Sequence, residues 1–142
     1  MAAPNSQLST PLQNLSANQA VRLLCYALNV SANVVGDTAM PLIDTSKFSV
    51  LYVIVTDATA SLAQALGGLN TGPGATGTVI VTAAALSAAT DATIVVQQTV
   101  ASTAVVTNVT NLYYRVTVAN TAQANMDIFV YGFAFDNAPV SP

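Results

Sequence analysis

The chain contains no histidine, no tryptophan and no glutamate, and ionisable side chains of any kind are scarce. Its 142 residues carry 3 cations (Arg22, Lys47 and Arg115) and 6 aspartates, so 6% of positions are charged, against about 25% in an ordinary soluble domain. Each absence removes a class of chemistry. Without histidine there is no Ser-His-Asp or Cys-His arrangement. One cysteine and no histidine do not build a zinc site. Three scattered cations make neither the basic patch that neutralises nucleic-acid phosphates nor one that attracts an anionic membrane surface. The aspartates (Asp37, Asp44, Asp57, Asp91, Asp127 and Asp136) are spread along the chain, each at or near a turn or strand end. There a short carboxylate bonds nearby backbone amides, and no EF-hand spacing occurs among them. Lys47 follows Ser46 directly, and neighbours on a strand point to opposite faces. The reading is a protein that is not an enzyme and takes no cofactor or metal.

Cys25 has no partner for an intrachain disulfide. It lies in the apolar run VRLLCYAL, where a buried, inert thiol is expected, and one thiol outside a disulfide framework fits a protein made in the cytosol. Residues 1–15 lack the basic and apolar regions of a secretory signal. Residues 58–90 are uncharged but interrupted by glycines and Pro73, so no membrane-spanning helix is expected.

What is abundant is apolar and β-compatible. Hydrophobic residues make up 53% of the chain, enough for one domain that buries about 70% of its unfolded surface. Residues 1–18 read as an arm. Pro4 and Pro11 block regular pairing, while Leu8, Leu12 and Leu15 would be wasted in solvent and point to docking on a neighbour. Residues 19–142 then form a single β domain. VRLLCYALNV is read as a buried strand. In KFSVLYVIVTD one face carries Val50, Tyr52 and Ile54, the other Leu51, Val53 and Val55, as in a strand covered on both sides. SLAQALGGLNT is a small-residue strand or a short helix. GTVIVTAAAL, DATIVVQQTV and STAVVTNVT follow as strands rich in β-branched residues. NLYYRVTVAN and MDIFVYGFAF close the chain, with TAQAN as a hairpin loop between them. The late aromatics (Tyr113, Tyr114, Phe129, Tyr131, Phe133 and Phe135) are read chiefly as core, because such rings dominate core burial. About eight strands separated by turn signals give an all-β, antiparallel β-sandwich of jelly-roll type with an extended N-terminal arm.

Residues 72–77 read GPGATG, a G-x-G-x-x-G pattern. A dinucleotide site needs a helix after the glycines. Here they run into the β-branched TVIVT, Pro73 removes an amide donor, and no lysine follows Gly77 to make a phosphate loop. GGLNTGPGATG is therefore expected to be an exposed, adaptable loop between strands, with Leu69, Asn70 and Pro73 available to a partner.

The stretches GGLNTGPGATGTVIVTAAAL and NLYYRVTVANTAQANMDIFVYGFAF share Ala/Thr/Val strands, a Gly-Pro loop, a Tyr-rich penultimate strand and a terminal VYG strand. Over residues 47–136 this texture resembles the capsid cement or decoration proteins of tailed bacteriophages, although many of those carry more charge. The resemblance implies a jelly-roll-like body on the outer surface of a virion, made in the host cytoplasm. It further implies a homo-oligomer, trimer ahead of dimer, whose arms grip the major capsid protein, and it supplies no catalytic residue. The charge deficit leads the same way, since a surface with so little charge suits coverage by partners. The partner-binding candidates are Leu8, Leu12 and Leu15 in the arm and Leu69, Asn70 and Pro73 in the loop. The alternative is a tail-associated or surface adhesin binding carbohydrate or receptor through its loops. A small jelly-roll coat protein fits less well without a basic arm for a genome.

Overall fold

The structure, a computed structural model, describes residues 20–136. The arm, with Leu8, Leu12 and Leu15, lies outside the described residues.

Among the described residues, nine strands form two antiparallel sheets: β1 (Arg22–Ser31), β2 (Gly36–Pro41), β3 (Lys47–Thr56), β4 (Leu66–Gly72), β5 (Thr76–Ala85), β6 (Val96–Gln98), β7 (Val106–Thr107), β8 (Asn111–Val118) and β9 (Asn125–Ala134). The first sheet runs β1-β9-β3-β6, with β7 also on β3, and the second runs β2-β8-β4-β5. The pairing has a simple rule. The first strand pairs with the last, the second with the last but one, the third with β6 and β7, and the fourth with the fifth. The chain is thus one long antiparallel ribbon, doubled back on itself and rolled so that β3 also meets β9 and β4 also meets β8. That is a jelly roll, two Greek keys wound into a sandwich.

The tip of the ribbon is GPGATG. The turn itself is only Pro73–Ala75, with Gly74 in the left-handed region at φ 65°, where a side chain is costly and glycine is at home. The Gly74 amide donates to Asp37 Oδ2 at 2.7 Å, and the same oxygen accepts from Arg115 Nη1 at 3.2 Å. The glycines therefore fold the ribbon in two, and a strand, not a helix, follows the turn.

The core fills the space between the sheets with Leu24, Met40, Phe48, Val53, Leu69, Ile80, Leu112, Tyr114, Met126 and Ile128. In β8 and β9 alternation is strict, with even-numbered residues inward and odd-numbered residues outward up to Thr117 and Phe133. One polar bridge crosses this core. Tyr114 of β8 donates its hydroxyl to Gln98 Oε1 of β6 at 2.7 Å, and Gln98 Nε2 donates to the Gly67 carbonyl of β4 at 2.8 Å. The two sheets are joined through three groups that water does not reach. Burial pushes the Tyr114 hydroxyl well above its ordinary pKa, partly countered by its bond to Gln98, so it remains a neutral donor.

Several expectations need correction. Residues 36–41 form a strand that the Gly, Asp and Pro content hid; Pro41 is tolerated because it ends an edge strand. The GGLN residues belong to β4. The runs at 91–100 and 102–110 shrink to three and two residues that flank β3. The TAQAN segment is no hairpin, since β8 lies in one sheet and β9 in the other. The crossing is held by Asn120, whose Nδ2 donates to the Ser61 and Ala122 carbonyls at 2.9 and 2.8 Å. Asn33 assists, with Oδ1 accepting from the Ala124 amide at 2.8 Å. In β3 a bulge between Val50 and Tyr52 resets the alternation, so Phe48, Val50, Val53 and Val55 are buried while Tyr52 stands outside.

Cys25 is fully buried, and desolvation pushes its thiol up to about 12. Because only the thiolate reacts, the native protein is expected to resist a thiol-specific disulfide reagent at pH 8 for hours. It should release one equivalent per chain once unfolded in guanidinium. Prompt reaction in buffer would contradict the packing of β1 against β9.

Candidate functional site: an uncharged aromatic sheet face

The alternation that fills the core leaves the other side of each strand to the outside, and the two outer faces differ. On the β2-β8-β4-β5 sheet the outward positions are Asp37, Ala39 and Pro41 on β2 and Asn111, Tyr113, Arg115 and Thr117 on β8. Threonine and alanine predominate on β5, and Arg115 pairs with Asp37. This face mixes small, polar and apolar side chains, Val79 and Val118 among them, around the Arg115–Asp37 ion pair.

The β1-β9-β3-β6 sheet is different. Register sets Tyr26 of β1 beside Phe129 of β9 and Phe129 beside Ile54 of β3; one row along, Leu23, Tyr131 and Tyr52 are neighbours. Phe133 extends the row on β9. Tyr26 and Phe129 stack with ring centroids 6.3 Å apart and planes 19° from parallel. Tyr26 and Tyr52 stay 46% and 43% exposed even with these neighbours. Among the described residues no charged side chain stands on these rows. Asp127, opposite Thr56, marks one end, and Lys47 together with Asp136 marks the other.

At the β1 edge the face runs into a groove of about 460 Å³ lined by Tyr26, Ala27, Leu28, Ala39, Pro41, Leu42 and Ile43. Its floor is fixed because Ile43 N donates to the Leu24 carbonyl at 2.8 Å and Arg22 Nη2 donates to the Ile43 carbonyl. Leu28 beside it is 58% exposed. A second, smaller groove of about 260 Å³ is polar, lined by Asn29, Asp57, Thr59, Asn125 and Asp127 among others. There Asp127 Oδ1 accepts from the Asn29 amide at 2.8 Å and Asn125 Nδ2 donates to Asn29 Oδ1 at 2.9 Å. These polar groups satisfy one another. Among the described residues no group of three Asp or Cys side chains is placed to hold a metal ion, and no helix is long and apolar enough to cross a membrane.

The residues singled out in the loop separate. Leu69 is fully buried in β4 and Asn70 is 6% exposed, so neither offers a surface to a partner. Their place in a central strand, between β8 and β5, is the reason. Pro73 remains exposed at the tip turn. The aromatics were misjudged as core, since of the nine Phe and Tyr residues only Phe48 and Tyr114 are buried. A signal was present. Asp127 shares the odd register of Phe129, Tyr131 and Phe133, whereas Gly132 and Ala134 share the even register of Ile128 and Val130. A carboxylate among the rings and small residues opposite them mean that the rings face outward.

Asp136 fastens the end of β9 to the start of β3. Its carboxylate accepts from Thr45 Oγ1 at 2.5 Å, the Ser46 amide at 2.6 Å and Ser46 Oγ at 3.0 Å. These bonds, the Thr45 hydroxyl foremost, hold its pKa at about 2, below the ordinary 3.8. A carboxylate favoured in the folded state adds stability above its unfolded pKa and loses it as pH falls through the folded one. Asp136→Asn is therefore expected to be less stable than the native chain at pH 6 and equal to it near pH 2. Because the group is exposed, the gap at pH 6 should be under about 1 kcal/mol. Urea titrations at both pH values check this, and an equal gap at both would contradict it.

Comparison of the chain with protein-family models, with curated proteins and with solved structures finds no match.

Proposed function

We propose that this chain is a structural protein of a bacteriophage virion. In this reading it sits on the outer surface of the capsid as a cement or decoration protein, held to its neighbours by apolar, nearly uncharged contacts. The observation that carries the reading is the outer face of the β1-β9-β3-β6 sheet, where exposed Tyr26 and Tyr52 stand beside half-buried Phe129, Tyr131 and Phe133 with no charge among them in the described residues. A lone monomer has no use for such a patch, and patches of this kind mark interaction surfaces. The core of a stable interface has this composition, depleted in charge and enriched in Tyr and Phe. The jelly roll supplies a stiff body, and the exposed tip turn at Pro73 and the arm with Leu8, Leu12 and Leu15 supply further contacts to the major capsid protein.

A carbohydrate-binding adhesin needs hydroxyl-pairing groups beside its rings. Tyr52 and Tyr131 have Leu23, Ile54 and Phe129 around them, and the amide of Gln97 stands only at the β6 edge beside Ile54, a mainly apolar setting that favours a protein contact.

The test is co-sedimentation of the purified chain with empty shells of the phage that encodes it, at 50 mM and at 1 M NaCl. Salt screens ion pairs and leaves apolar burial intact, so binding should change by less than about twofold. A loss of about tenfold or more would point to charge-driven attachment and sink the reading, as would no binding at either salt.

A further inference from the structure

We infer that the aromatic face of the β1-β9-β3-β6 sheet is the interface with a second copy of this chain. Two such faces pack sheet to sheet about a two-fold axis that runs across the strands. The inference rests on the reading of this face as a protein contact and names its occupant.

Three features carry it. The first is self-complementarity. A two-fold interface brings the same patch together from both subunits, so any charge inside it meets its own kind. Tyr26, Tyr52, Ile54, Phe129 and Tyr131 contribute none, and their alternation with the buried core residues leaves a continuous ridged sheet surface. Twisted sheets stack this way, with side chains interdigitating about 10 Å apart.

The second is size. β1, β3 and β9 have ten residues each. At ~3.3 Å per residue and ~4.8 Å between strands, these three columns cover roughly 33 by 14 Å, and the short β6 and β7 bring the face to about 550 Å² a side. Two sides together, about 1,100 Å², just clear the ~1,000 Å² that a specific interface needs.

The third is the placement of the charges at the rim. Asp127 lies at one end of the face, with Asp57 next to its partner Thr56, while the other end carries Lys47 together with Asp136, whose carboxylate bonds Thr45 and Ser46. An axis along the strands would set the Asp127 ends against each other. An axis across the strands sets the acidic Asp127 end of one copy against the mixed Lys47–Asp136 end of the other, so the two acidic ends stay apart. The orientation is thereby chosen, while the rings supply the affinity. This two-fold contact replaces the trimer that the resemblance implies, because a flat face closes on itself in pairs.

The experiment is sedimentation velocity on the full chain from 1 to 200 µM in 50 mM and 1 M NaCl, beside two single variants. Tyr52→Lys places a cation in the centre of the face at a position exposed in the single chain. Val79→Lys places the same charge at an exposed position of β5, in the other sheet. Burial of Cys25, read with a thiol reagent, reports that each variant is folded. The native chain and Val79→Lys are expected to be dimers at both salts. Tyr52→Lys is expected to be a folded monomer, its dissociation constant raised by about 100-fold.

A monomeric native chain throughout the range, a trimer, or a dimer that Tyr52→Lys leaves intact would overturn the inference. Footprint protection of the face only when shells are added would assign it to the shell and do the same. The two readings fail separately. A dimer that does not bind shells leaves this inference standing and removes the virion role; a monomer that binds shells does the opposite.

Discussion

Gly132→Ala is expected to destabilise the fold by about 3 kcal/mol, at the upper end of the range for over-packing a core. Gly132 sits in β9 between Arg22 of β1 and Val50 of β3, next to a register shift in each neighbouring strand. Its inward side has no room for a methyl group. A Cβ built there meets the Ser49 backbone carbonyl oxygen outright and comes within 2.9 Å of both the Ser49 carbonyl carbon and Leu24 Cδ1. The obstacle is backbone, so rotating a side chain does not relieve it. Relief requires β3 and β9 to move apart, against the hydrogen bonds that close the roll. A urea titration followed by far-ultraviolet circular dichroism checks the value. A loss below about 1 kcal/mol, within the scatter for a surface change, would mean that the β3–β9 register near the bulge differs from the one described.

The second large effect is expected in the polar bridge of the core. Tyr114→Phe deletes one hydroxyl and leaves Gln98 Oε1 buried without its donor. An orphaned buried acceptor costs about 1–3 kcal/mol. Gln98→Leu goes further, because it strips the Tyr114 hydroxyl and the Gly67 carbonyl of their partner together. Its expected cost is about 3 kcal/mol, the sum of two modest penalties of this kind. The two changes are not additive, since they disable the same bridge. In the Gln98→Leu background, Tyr114→Phe should cost close to nothing or stabilise slightly, because an unsatisfied hydroxyl is then removed. A double-mutant cycle by urea unfolding reads the coupling. Full additivity would show that the hydroxyl and the amide do not meet.

Much of this architecture was legible in the chain. The β character of residues 47–56, 111–118 and 125–134 followed from β-branched and aromatic content, and the sandwich followed from the number of turn signals. The inert cysteine followed from VRLLCYAL. The closing of the chain into a ribbon was not legible, because pairing first with last depends on contacts across more than 100 positions (Arg22 with Gly132). β2 was hidden because an edge strand tolerates the Gly, Asp and Pro that ordinarily mark turns. Leu69 and Asn70 were misplaced for a related reason. Glycines around them imitate a loop, whereas in β4 Gly67 and Gly68 let neighbouring groups come close in the sandwich: Tyr114 on one, the β5 backbone on the other.

The aromatic face was missed through a sound generalisation applied one register out. Rings do dominate cores, but a strand of β9's composition has two apolar sides. The side bearing Ile128, Val130, Gly132 and Ala134 is the one that fits between closely spaced sheets. The bulge at Leu51 then turned Tyr52 outward, against the simple alternation of β3. What remains outside is a surface that water solvates poorly and that no charge protects, and this surface connects the fold to its proposed role.

The most direct measurement of that role is hydroxyl-radical labelling of the tyrosines in the intact virion and in the isolated Tyr52→Lys chain. Tyr113, on the opposite sheet, serves as the internal reference. The account predicts that Tyr26 and Tyr131 are labelled at least about tenfold more slowly in the particle than in the isolated variant, as for groups excluded from water in an interface core, while Tyr113 changes little. Equal labelling of Tyr26 and Tyr131 in both states would mean that the face stays wet, and would contradict the claim that this protein holds its neighbours by burying it.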